Sequence, residues 1–91
     1  MSGIVALKMR ILPSGLDVDL KNISEKVLKI MENLGAKNTS FSEESIAFGL
    51  NALIITTAWP EERSTDEVEN LLNKLQGVSS SEVIDYRRAF G

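Results

Sequence analysis

Residues suited to chemistry are scarce in this chain of 91 amino acids. It contains no cysteine and no histidine, which removes thiolate nucleophiles, thiolate metal ligands and the most common general base. Its glycines are isolated and never take the G-x-x-x-x-G-K spacing of a phosphate-binding loop. We therefore predict a protein that is not an enzyme, carries no metal and no cofactor, and binds no nucleotide by itself.

The charge balance argues against nucleic acid and membranes as partners. The formal net charge is −3 at pH 7, so the overall field repels a phosphate backbone or anionic lipid. Lys8 and Arg10 interrupt the N-terminal apolar run, and no stretch approaches the roughly 18 apolar residues of a membrane helix. The absence of cysteine also fits a reducing compartment, so we expect a cytoplasmic protein without a targeting segment.

Asp17 and Asp19 have the types and the spacing that could bind a hard cation. Two carboxylates before a helix are far more often N-terminal caps, because their oxygens accept hydrogen bonds from the free N–H groups of the first turn. We therefore expect Asp19 to cap a helix.

Ile46, Ala47, Phe48, Gly49 and Leu50 form a segment of unusual composition between two strands. An aromatic residue and a glycine stand where a polar turn would serve. Phe48 could project as an apolar anchor for a partner, with Gly49 allowing close approach. Taken alone, the residues favour a simpler interpretation, in which Phe48 closes the end of the core and Gly49 makes a bulge.

Arg87 and Arg88 form a basic pair near the C-terminus of an acidic chain. Two guanidinium groups could meet phosphates or carboxylates, although such a pair is most often a solvated tail. Simple interpretations also apply to other segments: Trp59 covers the end of the sheet, residues 61–63 form a solvated loop, and the serines at 79–81 form a polar entrance to a strand.

The elements that position these residues follow from the apolar periodicity. Apolar residues recur every second position in strands and every three or four positions in helices. The predicted elements are a strand at Ile4–Leu12, a helix at Leu20–Leu34 ended by Gly35, an edge strand at Ala36–Ser42, a polar joint at Glu43–Ser45, a central strand at Leu50–Trp59, a helix from Ser64 to Gly77, and a strand at Val78–Arg88. The predicted apolar stripe of the second helix is Val68, Leu71, Leu72 and Leu75.

The order β-α-β-β-α-β predicts an α+β fold, expected to form one domain over residues 1–91. Two right-handed halves of this kind pack both helices on one face of a four-stranded antiparallel sheet, the ferredoxin-like sandwich. The fold hosts enzymes, RNA-binding modules, sensors and interaction domains, so it does not decide function. RNA recognition needs aromatic residues on the central strands, whereas those of this chain lie toward strand ends or joints: Phe41, Phe48, Trp59, Tyr86 and Phe90.

Several short segments together resemble the archaeal elongation factor 1-beta family. They follow one another over almost the whole chain: Leu12-Pro13, Asp17-Val18-Asp19-Leu20, Ile46 to Leu50 with Ala52-Leu53, Gly77-Val78, and the ending from Glu82 to Arg88. I-A-F-G-L is the most specific of them. The chain differs from the family pattern at Ser45, where proline is general, at Asn51, where lysine is frequent, and at Arg88, where eukaryotic relatives have lysine.

The resemblance implies a guanine-nucleotide exchange factor that binds elongation factor 1-alpha, the GTPase that delivers aminoacyl-tRNA, and promotes GDP release and GTP loading in translation elongation. It implies that Ile46, Ala47, Phe48, Gly49, Leu50 and Asn51 contact the GTPase. It also implies that Arg88, with its neighbour Arg87, acts at the magnesium and phosphate end of the nucleotide site. The alternatives are a ferredoxin-like regulatory or protein-interaction module and an RNA-binding domain.

Overall fold

The computed structural model describes residues 3–88 of the chain. Its elements are β1 at Ile4–Pro13, α1 at Leu20–Asn33, β2 at Lys37–Ser45, β3 at Asn51–Pro60, α2 at Thr65–Asn73 and β4 at Val78–Arg88. The predicted β-α-β-β-α-β order is therefore confirmed. Phe90, one of the aromatic residues considered above, lies outside the described residues.

The four strands form one antiparallel sheet in the order β2-β3-β1-β4. β3 is central and β2 is an edge strand, as predicted, and β1 is the second central strand. With the two helices this arrangement is the ferredoxin-like α+β fold. Val5 of β1 pairs with both Trp59 of β3 and Arg88 of β4. At the other end of β1, Ile11 pairs with Leu53. The end of β4 and the β2–β3 turn therefore lie at opposite ends of the sheet.

The core lies between the helices and one face of the sheet. Every second residue of β1 is fully buried, which confirms the predicted period of two. The residues that fill this core from β1, α1, β3 and α2 are Val5, Leu7, Met9, Ile11, Ile23, Val27, Met31, Leu53, Ile55, Trp59, Val68 and Leu72. Trp59 is fully buried and its indole N–H donates to the carbonyl of Arg63 at 2.9 Å, so its predicted place at the end of the sheet is confirmed.

Both helices begin at capping residues. Asp19 accepts hydrogen bonds from the backbone N–H groups of Lys21 at 3.0 Å and Asn22 at 3.5 Å, which confirms the capping interpretation of that carboxylate. Ser64 accepts from the N–H of Asp66 at 3.1 Å at the start of α2. Each cap fixes the angle at which the chain leaves the sheet, because it satisfies donors that the first turn leaves free.

The edge strand β2 is longer than predicted. Glu43, Glu44 and Ser45 are not a polar joint but pair with residues of β3, and Glu44 lies opposite Ala52. The prediction was wrong because an edge strand is held by its backbone ladder and needs few apolar side chains of its own. The Glu44 carboxylate lies 3.8 Å from the guanidinium of Arg10 on β1, so the acidic residues of β2 contribute to the surface of the sheet.

Two further positions differ from the sequence interpretation. Leu71 was predicted in the buried stripe of α2 but is 37% exposed, because Val68 and Leu72 face the sheet and Leu71 lies at the margin of the stripe. Ser81, the last of the three serines predicted as a polar entrance to the strand, is buried. Its hydroxyl lies 2.9 Å from Oδ1 of Asn73 and 3.3 Å from the carbonyl of Glu69, and these hydrogen bonds join β4 to α2.

Candidate functional site

Residues 46–50 form a tight, exposed turn between β2 and β3. The N–H of Ile46 donates to the carbonyl of Leu50, and the N–H of Leu50 donates to the carbonyl of Ala47, each at 2.9 Å. Phe48 stands at the tip of the turn and is 94% exposed. The interpretation of Phe48 as a core residue is therefore wrong. The turn extends past the last pairs of the sheet, where no core exists for an aromatic ring to join.

The backbone at the tip is unfavourable for phenylalanine. Phe48 has φ of 54° and Gly49 has φ of 80°, so Gly49 serves the turn and not the predicted bulge. Consecutive positive φ values are typical of type I′ turns, which favour asparagine followed by glycine. A non-glycine residue in this region incurs roughly 1–2 kcal/mol of steric strain. Neither burial nor backbone preference explains Phe48, and residues that oppose folding preferences are candidates for function.

Leu16, in the loop between β1 and α1, extends the exposed apolar surface. Its side chain is 72% exposed, and its Cδ2 lies 3.6 Å from the position that a Cβ on Gly49 would occupy. We call Leu16, Ile46 and Phe48 the apolar patch; Ile46 is 40% exposed. Exposed apolar groups that gather on adjoining loops indicate an interaction surface. Sequence reasoning missed Leu16, because only the topology brings its loop beside the turn.

The remaining predicted contact residues of this segment support the turn. Ala47 is exposed, whereas Leu50 and Asn51 are half-buried. The side-chain amide of Asn51 donates to the carboxylate of Glu43 at 3.1 Å. This hydrogen bond joins the ends of β2 and β3 and holds the base of the turn.

Arg87 and Arg88 lie at the opposite end of the sheet. Nη2 of Arg88 donates to Oε1 of Glu61 at 2.8 Å, and Nε of Arg87 donates to Oδ1 of Asp85 at 3.1 Å. Both arginine side chains are largely exposed, that of Arg87 at 78% and that of Arg88 at 65%. They are strand residues with carboxylate partners and not a solvated tail. Glu61 was predicted in a solvated loop, but its side chain is only 27% exposed and contacts Arg88.

The structure does not bring the apolar patch and the arginines together. Arg88 pairs with Val5, whereas the β2–β3 turn lies beyond the pair formed by Ile11 and Leu53. At about 3.3 Å per strand residue, the distance from Val5 to Ile11 alone is about 20 Å. A partner that contacts both clusters must therefore extend along most of the sheet.

The face of the sheet opposite the helices does not have the character of an RNA-binding surface. Three aromatic strand residues pair with residues of the core and so lie on the helix side: Phe41, Trp59 and Tyr86. On the opposite face, Arg10 forms ion pairs with Glu44 and Glu82. Stacking of bases requires exposed aromatic rings, and the strands of this face offer none among residues 3–88.

Two other classes of site are absent from the described part of the chain. Residues 3–88 contain no group of three or more acidic side chains that could hold a metal ion. Within the same range, neither helix is long and apolar enough to cross a membrane. The apolar patch and the arginine pair are therefore the features that carry a functional argument.

Comparison with known proteins identifies similar chains. The chain matches the model of the EF-1 guanine nucleotide exchange domain over residues 6–88. Elongation factor 1-beta of Methanosarcina barkeri is 37% identical over 87 residues, which cover 94% of this chain and 98% of the relative. The Archaeoglobus fulgidus protein of the same name is 35% identical over 85 residues, 91% and 94% of the two chains. That of Metallosphaera sedula is 37% identical over 87 residues, 92% and 93% of the two chains.

We predict that Phe48→Gly leaves the free energy of unfolding unchanged or raises it by up to about 1 kcal/mol, because glycine adopts positive φ without the strain of phenylalanine. Urea unfolding followed by fluorescence of the buried Trp59 measures this. Phe41→Ala is the matched control: Phe41 packs against the core, and its truncation should lower stability by on the order of 2 kcal/mol. A loss of that size in Phe48→Gly would restore the core interpretation.

Proposed function

The chain belongs to the elongation factor 1-beta family and matches its guanine nucleotide exchange domain, and from that premise we propose that it promotes GDP release and GTP loading on elongation factor 1-alpha. The observation that carries the proposal is the apolar patch, with Phe48 94% exposed on a positive-φ turn. Such a residue has no role in the core, so a binding role explains its presence. We further propose that residues 1–91 act as one exchange domain in the cytoplasm.

Exchange of this kind requires binding and no bond cleavage. A factor that binds the GTPase more tightly when nucleotide and magnesium are absent weakens their affinity by the same factor, because the two equilibria are linked. The absence of cysteine, histidine and a phosphate loop is compatible with this mode of action. In this proposal the chain itself binds neither nucleotide nor nucleic acid.

The apolar patch supplies docking energy in the proposed complex. Phe48 is free to enter a pocket on the GTPase without leaving one in its own chain, since it makes no core contact. Aromatic residues at the centre of an interface commonly dominate the binding free energy. Leu16 and Ile46 would add further apolar area to the same interface.

Arg88 supplies the electrostatic part of the proposal. A guanidinium near the magnesium site can compete for the carboxylates and phosphate oxygens that hold the ion. Arg88 pairs with Val5 and Arg87 with Ala6, so the two arginines project to opposite faces of β4. Only Arg88 lies on the side of Glu61, and it carries the larger role here, as the family resemblance implies.

Docking and nucleotide displacement are separable in this arrangement. The apolar patch and Arg88 lie at opposite ends of β1, about 20 Å apart or more along the strand. Loss of a docking residue should therefore change the concentration of protein needed for exchange. Loss of Arg88 should change the rate of exchange within the complex.

The chain should accelerate GDP release from the cognate elongation factor 1-alpha catalytically. Stopped-flow release of fluorescent GDP, with and without the chain, measures this, and an acidic protein of similar size serves as the control. Unchanged release at a saturating concentration of the chain would contradict the exchange proposal. Tight binding of GDP to the chain alone would contradict the claim that it holds no nucleotide.

Truncation of the apolar patch should weaken docking. Phe48→Ala is expected to raise the half-saturating concentration by about 5- to 150-fold, the equivalent of 1–3 kcal/mol at an interface anchor. Leu16→Ala should act in the same direction to a smaller extent. Ile84→Ala is the matched control, since Ile84 is a 40% exposed apolar residue at a bulge of β4. An equal effect of Ile84→Ala would show that general apolar exposure, and not the patch, drives binding.

Replacement of Arg88 should slow exchange within the complex. Arg88→Ala is expected to lower the maximal rate of GDP release about tenfold or more, because one charge in a partly dehydrated site contributes on the order of 2–4 kcal/mol. The half-saturating concentration should change little. Arg88→Lys should retain much of the rate if charge is decisive, and Arg87→Ala should be milder. An unchanged maximal rate for Arg88→Ala would refute this role.

A further inference from the structure

Glu61 is held firmly at the end of the sheet that carries Arg88. Its backbone N–H donates to the carbonyl of Gly3 at 3.1 Å, and Pro60 restricts the chain immediately before it. Oε2 of Glu61 lies 2.9 Å from the position that a Cβ on Gly3 would occupy. The carboxylate therefore fills space that exists because residue 3 has no side chain.

The guanidinium of Arg88 contacts this carboxylate. Arg88 is the last residue of β4, its side chain is 65% exposed, and Nη2 donates to Oε1 of Glu61 at 2.8 Å. An unrestrained arginine side chain has many rotamers and therefore loses conformational entropy when it binds. Arg87 differs, because its carboxylate partner is Asp85 on the same strand. The partner of Arg88 belongs to another strand end, so the contact fixes the guanidinium relative to the sheet.

We propose that Glu61 is a positioning residue, which orients the guanidinium of Arg88 toward the phosphate and magnesium end of the GTPase site. A guanidinium carries five N–H donors in a rigid fork, and the contact with Glu61 uses Nη2. The donors on Nε and Nη1 can then meet an anionic oxygen of the partner while Glu61 keeps its hydrogen bond. This inference rests on the proposed exchange function.

Two variants disturb the contact by different means. Glu61→Gln removes the charge of the carboxylate. Gly3→Ala keeps the charge but places a methyl group 2.9 Å from Oε2, so the flexible carboxylate must move. Glu62→Gln, at the exposed neighbouring residue, is the matched control.

Both Glu61→Gln and Gly3→Ala should lower the maximal rate of GDP release about three- to fivefold, with the half-saturating concentration and the thermal midpoint nearly unchanged. Glu62→Gln should retain the parent rate. In an Arg88→Ala background, Glu61→Gln and Gly3→Ala should have no further effect, because the residue through which they act is gone. This loss of effect distinguishes positioning from a general structural role.

Three outcomes would overturn the inference. They are a parent-like maximal rate of GDP release in both variants, a faster rate in Glu61→Gln, and a reduction by either variant that is equally large in the Arg88→Ala background. If the parent itself does not accelerate GDP release, the exchange proposal fails. The orientation of Arg88 by Glu61 is then tested in the chain without a partner. Side-chain NMR of Arg88 should then show slowed rotation of the guanidinium in the parent and its loss in Glu61→Gln and Gly3→Ala. Identical guanidinium signals in all three chains would refute the positioning of Arg88 by Glu61.

Discussion

The pairing of β1 with β3 on one side and with β4 on the other determines where each functional candidate lies. Val5 lies between Trp59 and Arg88, and Ile11 lies opposite Leu53 six residues later. Because the buried face of β1 has a strict period of two, a shift of one residue would move its whole apolar set to solvent. The core therefore fixes the register, and the register fixes the distance between the two ends of the sheet.

Trp59 and Phe48 illustrate how that register separates structural from functional aromatic residues. Both lie near strand ends in the sequence, and the residues taken alone favoured a structural role for each. Trp59 pairs with Val5, is fully buried and has its indole N–H satisfied by Arg63. Phe48 lies past the last pair of β3, in a turn whose positive φ opposes a side chain. Only the family resemblance assigned it a binding role at the level of sequence.

The sequence was sufficient for the alternating burial of β1 and for the caps of the two helices. The fully buried residues of β1 and the caps at Asp19 and Ser64 follow from local pattern and hydrogen-bonding chemistry. It was insufficient where a feature depends on contacts between distant residues. The proximity of Leu16 to the turn and the ion pair of Glu61 with Arg88 join residues far apart in the chain, so no short window of sequence contains them. The extension of β2 through Ser45 depends on backbone pairing with β3, which the polar side chains of Glu43, Glu44 and Ser45 do not indicate.

The ion pairs of the sheet show why contact geometry matters more than net charge at the Arg88 end. Arg10 lies between two carboxylates, those of Glu44 and Glu82, so its donors are engaged within the chain. At the other end, Arg87 and Arg88 are matched by Asp85 and Glu61, and these four charges sum to zero. Charges beyond a Debye length of about 8 Å are largely screened at physiological ionic strength, so the acidic residues near the β2–β3 turn have little influence there.

A locally neutral cluster attracts an anionic site weakly at long range, and its contribution must come from hydrogen-bond donors that are already oriented when contact is made. The value of such donors depends on how little they must reorganise. An arginine at the end of a strand would ordinarily be mobile, and the carboxylate of Glu61 restrains it. Glu61 is in turn held by the hydrogen bond of its backbone N–H to the carbonyl of Gly3, the residue that precedes β1. The same β1 pairing that builds the core thus also supports the orientation of the terminal guanidinium, which links the stability of the sheet to the proposed exchange function.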